Sequence, residues 1–176
     1  MQQIDLSDVS DLFLKPDDMD KIEIDELFKK AVGHFNDGDI RGAKTAYFMF
    51  KNVVKRDPEF TSGDNNFDCQ FHYLGRFHEY FLYDVDTAIE YYDKCLNLCP
   101  EDYEALTNRG FCRLSKNQYD LAIKDFKKAQ KINSENYDFD RIIQEVKSRL
   151  NGGRPIREYS RYFKSNYQCF TANDLK

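Results

Sequence analysis

Cys69 and His72 stand three positions apart in this chain, and Cys95 and Cys99 stand four apart. Either spacing puts two side chains on one helix face, and thiol and imidazole groups are good zinc ligands. Zinc centres need about four convergent ligands, usually in tight pairs. Here the pairs fall on two different helical patterns, so the sequence reads as structural thiols with no metal. The three histidines, His34, His72 and His78, have no nucleophile beside them in a recognisable catalytic setting. The "NGGRP" run at 151–155 lacks the strand and helix that a phosphate-binding loop requires. No catalytic residue and no cofactor is therefore expected, and the chain reads as a non-enzyme. Five cysteines are an odd number, and four fall inside helical patterns. A reduced, intracellular thiol set is the simplest account of them.

A second chemical feature lies near the C-terminus. The stretch "REYSRYFKSNYQCF" interleaves Arg157, Arg161 and Lys164 with Tyr159, Tyr162, Phe163, Tyr167 and Phe170. Such a pattern can stack bases or follow phosphates. The whole chain, however, has a net charge of −5 and a pI of about 5.3. An acidic protein is a poor nucleic-acid binder, so docking on a protein surface is expected instead. Charge is also uneven along the chain. Residues 1–28 hold nine acids and two lysines, 2 − 9 = −7, whereas residues 151–176 hold five bases and two acids, 5 − 2 = +3. The opening "MQQIDLSDVSDLF" has neither a cationic start nor a long apolar core, so no secretory leader is expected. No apolar run approaches the roughly 20 residues of a membrane span. Ile4, Leu6, Val9, Leu12, Phe13 and Leu14 sit among the N-terminal acids and bury little alone, which marks a second docking segment. Leu12 and Phe13 at this end, with Arg157, Tyr159, Arg161, Tyr162 and Phe163 at the other, are the candidate tail contacts.

The elements between these ends repeat. "DTAIEYYDKCLNLC" at 86–99 is echoed by "DLAIKDFKKAQKIN" at 120–133, an offset of 120 − 86 = 34. In the second copy Ala122, Ile123, Phe126, Ala129 and Ile132 recur at spacings of three and four, the mark of an amphipathic helix. Leu106, Gly110, Phe111 and Leu114 do the same before it, across a "SKNQYD" break. The first copy runs Phe71, Leu74, Gly75 and His78, a turn at "LYDVD", then Ala88, Ile89, Tyr92 and Cys95, ending at Pro100. A helix–turn–helix with a 34-residue period resembles the tetratricopeptide repeat. An earlier unit fits more weakly, with Leu27, Ala31, Phe35, Ala43, Tyr47 and Phe50. Its Pro58 comes three residues late, which predicts a second helix nearly one turn longer than usual. Arg109 departs from the pattern, where Leu is usual. Gly75 and Gly110 each cost about 1 kcal/mol of helix propensity relative to Ala, so close backbone approach is expected there.

After the third unit, "YDFDRIIQEVKSRL" carries Ile142, Ile143, Val146 and Leu150 on one stripe, as a terminal cap requires. Gly152 and Gly153 stop it, and Pro155 prevents a restart. The expected fold is all-α: an α-solenoid of three helical hairpins and a capping helix over residues 21–150. A docking segment at 1–20 precedes it, and a basic-aromatic tail at 151–176 follows.

The resemblance implies a function. In this family the first helices line a concave groove that holds partner segments. The matching positions are Phe28, Val32 and Phe35; His72, Arg76 and Tyr80; and Thr107, Phe111 and Leu114. This surface is apolar and aromatic with one clear cation, suited to an amphipathic helix or an apolar extended segment. The chain's own residues 4–14 are one candidate occupant. Some relatives instead grip the acidic C-terminus of heat-shock chaperones with a clamp of Lys, Asn and Arg. The matching positions here hold Phe28, Val32, Tyr73, Glu104 and Asn108, which leave no cationic pair for a carboxylate. The expectation is therefore a non-enzymatic scaffold or adaptor subunit of an intracellular, cytoplasmic multiprotein assembly, with other proteins of that assembly as partners. The layout of three repeats, one long loop and a short basic tail resembles that of one member of this family, and that resemblance puts a cilium or the cytoskeleton first. A co-chaperone or assembly factor without the clamp is the alternative, and an RNA-associated adaptor a third.

Overall fold

The helices that begin at Ile40, Val85 and Phe139 each open on an aspartate, Asp39, Asp84 or Asp138, whose carboxylate accepts a first-turn amide. The computed structural model describes residues 4–37, 39–62, 69–135 and 138–152, and all regular structure among them is helical. The tail residues Arg157, Tyr159, Arg161, Tyr162 and Phe163 lie outside the described residues. The chain divides into two compact units, residues 1–102 and 103–176.

In the first unit a short helix α1 (Pro16–Met19) precedes α2 (Ile24–Asn36) and α3 (Ile40–Arg56). Asp25 and Glu26 lie in the first turn of α2, where negative charge meets the positive end of the helix dipole. The Asp39 carboxylate accepts the Gly42 amide at 2.5 Å and opens α3. Gly42 is obligatory there, because a Cβ would lie 2.8 Å from the His34 carbonyl oxygen. The α3 helix has 17 residues against 14 in each of the other second helices, the extra turn expected from the late Pro58.

The next hairpin is α4 (Gln70–Phe77), a π-helical turn (His78–Leu82) and α5 (Val85–Leu98). Its helical path continues to Leu82, further than the predicted turn at Leu82–Asp86. The reason is one extra residue. Gly75 to Ala88 spans 88 − 75 = 13 positions, whereas Gly110 to Ala122 spans 122 − 110 = 12. A π turn closes over one residue more than an α turn, so it takes up the insertion without shifting the stripes. Tyr83 then leaves the helix in the left-handed region (φ 54°), and Asp84 caps α5 by accepting the Thr87 amide at 3.1 Å.

The second unit comprises α6 (Tyr103–Ser115), α7 (Tyr119–Ile132) and α8 (Phe139–Leu150). Both predicted close approaches are present. A Cβ on Gly75 would meet the Tyr92 ring at 2.7 Å, and one on Gly110 would meet the Phe126 ring at 2.7 Å. Ala43, Ala88, Ala122 and Ala129 are fully buried, so each lets a neighbouring helix come close. The α8 cap seats Ile142, Ile143 and Val146, while Leu150, predicted on the same stripe, is 48% exposed at its end.

Candidate functional site

The predicted groove residues separate into two sets once their surroundings are known. On α2 the buried stripe is Leu27, Phe28, Ala31 and Phe35. Phe28 is 2% exposed, with ring centroids of Phe50, Phe60 and Tyr73 at 5.6, 5.4 and 5.9 Å. Tyr73 stacks on Phe50 at 4.8 Å and meets Phe35 edge-on at 5.6 Å. Phe28 and Phe35 therefore belong to an aromatic bed joining α2, α3 and α4. His72 is buried too, its Nδ1 3.0 Å from Asp102 Oδ2. In the second unit Thr107 is fully buried and donates its hydroxyl to the Tyr103 carbonyl at 2.7 Å. Phe111 sits against Phe126 at 5.0 Å, and Leu114 is 1% exposed.

Six of the nine groove positions are thus internal, because the face predicted to be open coincides with the stripe that closes each hairpin. Val32, Arg76 and Tyr80 keep partial exposure, all in the first unit. The Arg76 guanidinium lies 4.9 Å from the Phe35 ring centroid. Of the clamp positions, Phe28, Tyr73 and Asn108 are buried.

The N-terminal segment docks on the first hairpin. Leu12 is 3% exposed, and Phe13 stacks on His34 at 5.3 Å beneath the Arg41 guanidinium at 4.0 Å. The Phe13 amide donates to Thr45 Oγ1 at 3.1 Å. Lys44, itself 5% exposed, reaches Asp11 at 3.0 Å, and Arg41 donates to the Asp11 carbonyl. Asp20 accepts from Asn52 at 2.6 Å, and Arg56 donates to the Ile22 carbonyl at 2.6 Å. These partners lie on α3 and at His34. Residues 11–13 consequently pack on the flank of the first hairpin, on α3 and His34, whereas their reading as part of a groove occupant had placed them along Val32, Arg76 and Tyr80. The cations of α3 explain the choice, since they meet the acids that make this end negative.

Among the described residues two polar clusters are buried. In the second unit Asp125, 3% exposed, takes a two-pronged hydrogen bond from Arg109 at 3.0 and 2.6 Å and a third from Arg113 at 2.7 Å. Arg109 therefore replaces the usual Leu with a satisfied ion pair. In the first unit Cys69, His72, Cys95, Cys99 and Asp102 are all buried. The ligand atoms of His72, Cys95 and Asp102 lie within 4.8 Å of one another, and the Cys95 thiol reaches Asp102 at 3.3 Å. The Cys69 thiol feels those of both Cys95 and Cys99. Its hydrogen bond to Cys95 pushes the Cys69 thiol well above the usual range, and burial adds to this. At Cys95 the contact with Cys69 acts downward, but burial and the Asp102 charge outweigh it, pushing that thiol up to about 11. Sequence reasoning kept the two pairs apart. The signal that unites them is distance from the turn: 84 − 69 = 15 and 99 − 84 = 15, while 84 − 72 = 12 and 95 − 84 = 11. Residues equidistant from the turn of an antiparallel helical hairpin lie side by side.

Comparison with known proteins agrees with the geometry. Tetratricopeptide repeat family models match residues 80–102 and 103–136. The chain is similar to the first such domain of Spaghetti (RPAP3), solved bound to the HSP90 peptide SRMEEVD. That likeness has a TM-score of 0.59 at 16% identity and covers 73% of this chain and 93% of that one. It is also similar to the Sgt2 domain from Aspergillus fumigatus, with a TM-score of 0.54 at 12% identity, covering 78% and 88%. A search of curated protein sequences returned no match. The fold class is all-α, of the α-solenoid kind built from such hairpins.

Proposed function

Since this chain belongs to the tetratricopeptide repeat family, we propose that it is a non-enzymatic scaffold or adaptor, binding a segment of another protein on the α2–α4 face of its first unit. The observation that carries this reading is the partly exposed Arg76 guanidinium, 4.9 Å from the Phe35 ring in the fixed aromatic bed of Phe28, Phe35 and Tyr73, with Val32 and Tyr80 also partly exposed. A rigid floor lowers the ordering cost of binding, and Tyr and Arg are the side chains that most often dominate interfaces. The partner that fits is an apolar helix or extended segment. The Arg157–Phe163 stretch of the tail is a second contact in the same proposal. A multiprotein assembly inside the cell, ciliary or cytoskeletal by layout, is its proposed setting; among the described residues no helix is long and apolar enough to cross a membrane.

The test is quantitative capture of native partners by wild type and by Val32→Glu/Tyr80→Ala. Loss of one hot spot costs about 2 kcal/mol, roughly 30-fold in affinity. Partners lost from the variant at an unchanged melting temperature would support the site; equal recovery would remove it.

A second reading, a co-chaperone or assembly factor, is favoured by the likeness to a domain solved with an HSP90 peptide. Titrating the peptide SRMEEVD against this chain separates the two. Binding that vanishes when the peptide's C-terminal carboxylate is amidated would establish the second reading. No saturation would leave the first, as the absence of cations at Phe28, Val32, Tyr73, Glu104 and Asn108 requires.

A further inference from the structure

Four soft or borderline ligands and a carboxylate are buried where α4 begins and α5 ends. They come as two short-spaced pairs, Cys69-x2-His72 and Cys95-x3-Cys99, with 22 residues between the pairs (95 − 72 − 1). Paired spacings of this kind are how one chain encloses zinc. We propose that Cys69, Cys95 and Cys99 bind a structural zinc ion as thiolates, with His72 Nε2 as the fourth ligand and Asp102 holding His72 through Nδ1.

Four observations support zinc over an ordinary buried thiol cluster. First, the ligand atoms of His72, Cys95 and Asp102 lie within 4.8 Å of one another, and the Cys95 thiol is 3.3 Å from Asp102. Tetrahedral zinc with bonds of about 2.3 Å to sulfur puts its ligand atoms roughly 3.7 Å apart, so this trio needs a small contraction, while the Cys69 and Cys99 side chains must turn in from outside it. Second, all five residues are at most 4% exposed, which matches a closed structural centre and not a catalytic one with an open position. Third, Asp102 on His72 Nδ1 at 3.0 Å is the carboxylate–histidine arrangement that orients a metal-bound imidazole. Fourth, Cys69 is the N-cap residue of α4 and makes no side-chain capping bond there. A metal on its sulfur would fasten the start of α4 to the end of α5 and close the hairpin at the end opposite its turn. Three sulfurs with one nitrogen select zinc over magnesium or calcium, which require oxygen. On binding, each thiol gives up its proton as its sulfur takes the metal, and no redox step is involved.

The experiment uses the full chain, stripped of metal and kept reduced, with cobalt(II) as a visible substitute for zinc. We expect one cobalt per chain, the d–d bands of a tetrahedral site, thiolate charge-transfer absorption, and displacement by zinc. Melting temperature should rise by about 10 °C when free zinc exceeds its dissociation constant ~1,000-fold. Cys95→Ala should fold, because the equivalent position of the next repeat is Ala129, yet lose the tetrahedral spectrum. Asp102→Asn should weaken binding about 10- to 100-fold, and Cys112→Ser should change nothing. Three results would each overturn the proposal: a wild-type chain with only the pale octahedral spectrum of unbound cobalt; equal uptake by Cys95→Ala; or a native chain holding no zinc with Cys69 in a disulfide.

Discussion

Replacing glycine by alanine inside a helix ordinarily stabilises it by about 1 kcal/mol; at Gly110 the opposite should happen. The new Cβ would lie 2.7 Å from Phe126 Cε1 and 3.0 Å from Cδ1 and Cζ. Carbon atoms prefer about 3.5–4.0 Å, so ring or helix must yield by roughly 0.8 Å. The ring cannot retreat freely. Phe126 is fully buried, with Phe111 edge-on at 5.0 Å and Phe139 at 6.5 Å. Overfilling of this kind costs about 1–3 kcal/mol. After the propensity gain the net loss is about 1 kcal/mol, or roughly 3 °C in melting temperature for a chain of this size. Two companion variants sharpen the test. Gly33, on an exposed position of α2, has nothing within 4 Å of its would-be Cβ, so Gly33→Ala should gain about 1 kcal/mol. In a Phe126→Leu background the obstructing ring is gone, and Gly110→Ala should change sign and stabilise. Urea denaturation of the four chains supplies the double-mutant cycle. The reasoning fails if Gly110→Ala stabilises the wild type, or if its effect is the same with Phe or Leu at 126.

Two other outcomes follow from buried charge. Burial lowers the His78 pKa from its usual value, with Asp84 pulling weakly the other way, so the folded chain resists protonation more than the unfolded one. Stability from this source is complete above about pH 6.5 and is lost as pH falls from there toward the folded value. In metal-free protein His78→Tyr should flatten the fall in urea midpoint between about pH 7 and 5.5, and an unchanged slope would exclude His78 as its cause. Asp125→Ala leaves Arg109 and Arg113 without their buried carboxylate and should cost about 2–3 kcal/mol, whereas adding Arg109→Leu should recover part of it. Calorimetry of the single and double variants checks the order.

The helical hairpins were legible because their pattern is local. Alanines at 43, 88 and 122, and glycines at 75 and 110, mark close contacts that depend on a residue's own size and on its neighbours three and four positions away. The π turn at His78–Leu82 was legible only by subtraction, as one surplus residue between Gly75 and Ala88. The groove was misjudged for a physical reason. Phe28, Phe35 and Phe111 carry the same letters whether they face a partner or a neighbouring helix. Single-helix periodicity gives the direction of a stripe and not what lies across from it. For α2 the neighbour is the aromatic set of Phe50 and Tyr73, so the stripe is spent on the hairpin itself.

The cysteine cluster was hidden by the converse fault, since its two pairs look remote while the eye follows one helix at a time. Folding the hairpin about Asp84 superimposes them, and the antiparallel geometry alone accomplishes it. Chemistry in a helical repeat can therefore be sought by reflecting the sequence about each interhelical turn and asking which reactive residues coincide. Applied to the third hairpin about Asn117, reflection sets Arg109 (117 − 109 = 8) opposite Asp125 (125 − 117 = 8), the ion pair the structure contains. That one operation finds both buried polar clusters means they arise from the same cause. In each hairpin the seam between the paired helices is the place where an uncommon side chain can be enclosed and satisfied without disturbing the apolar stripe.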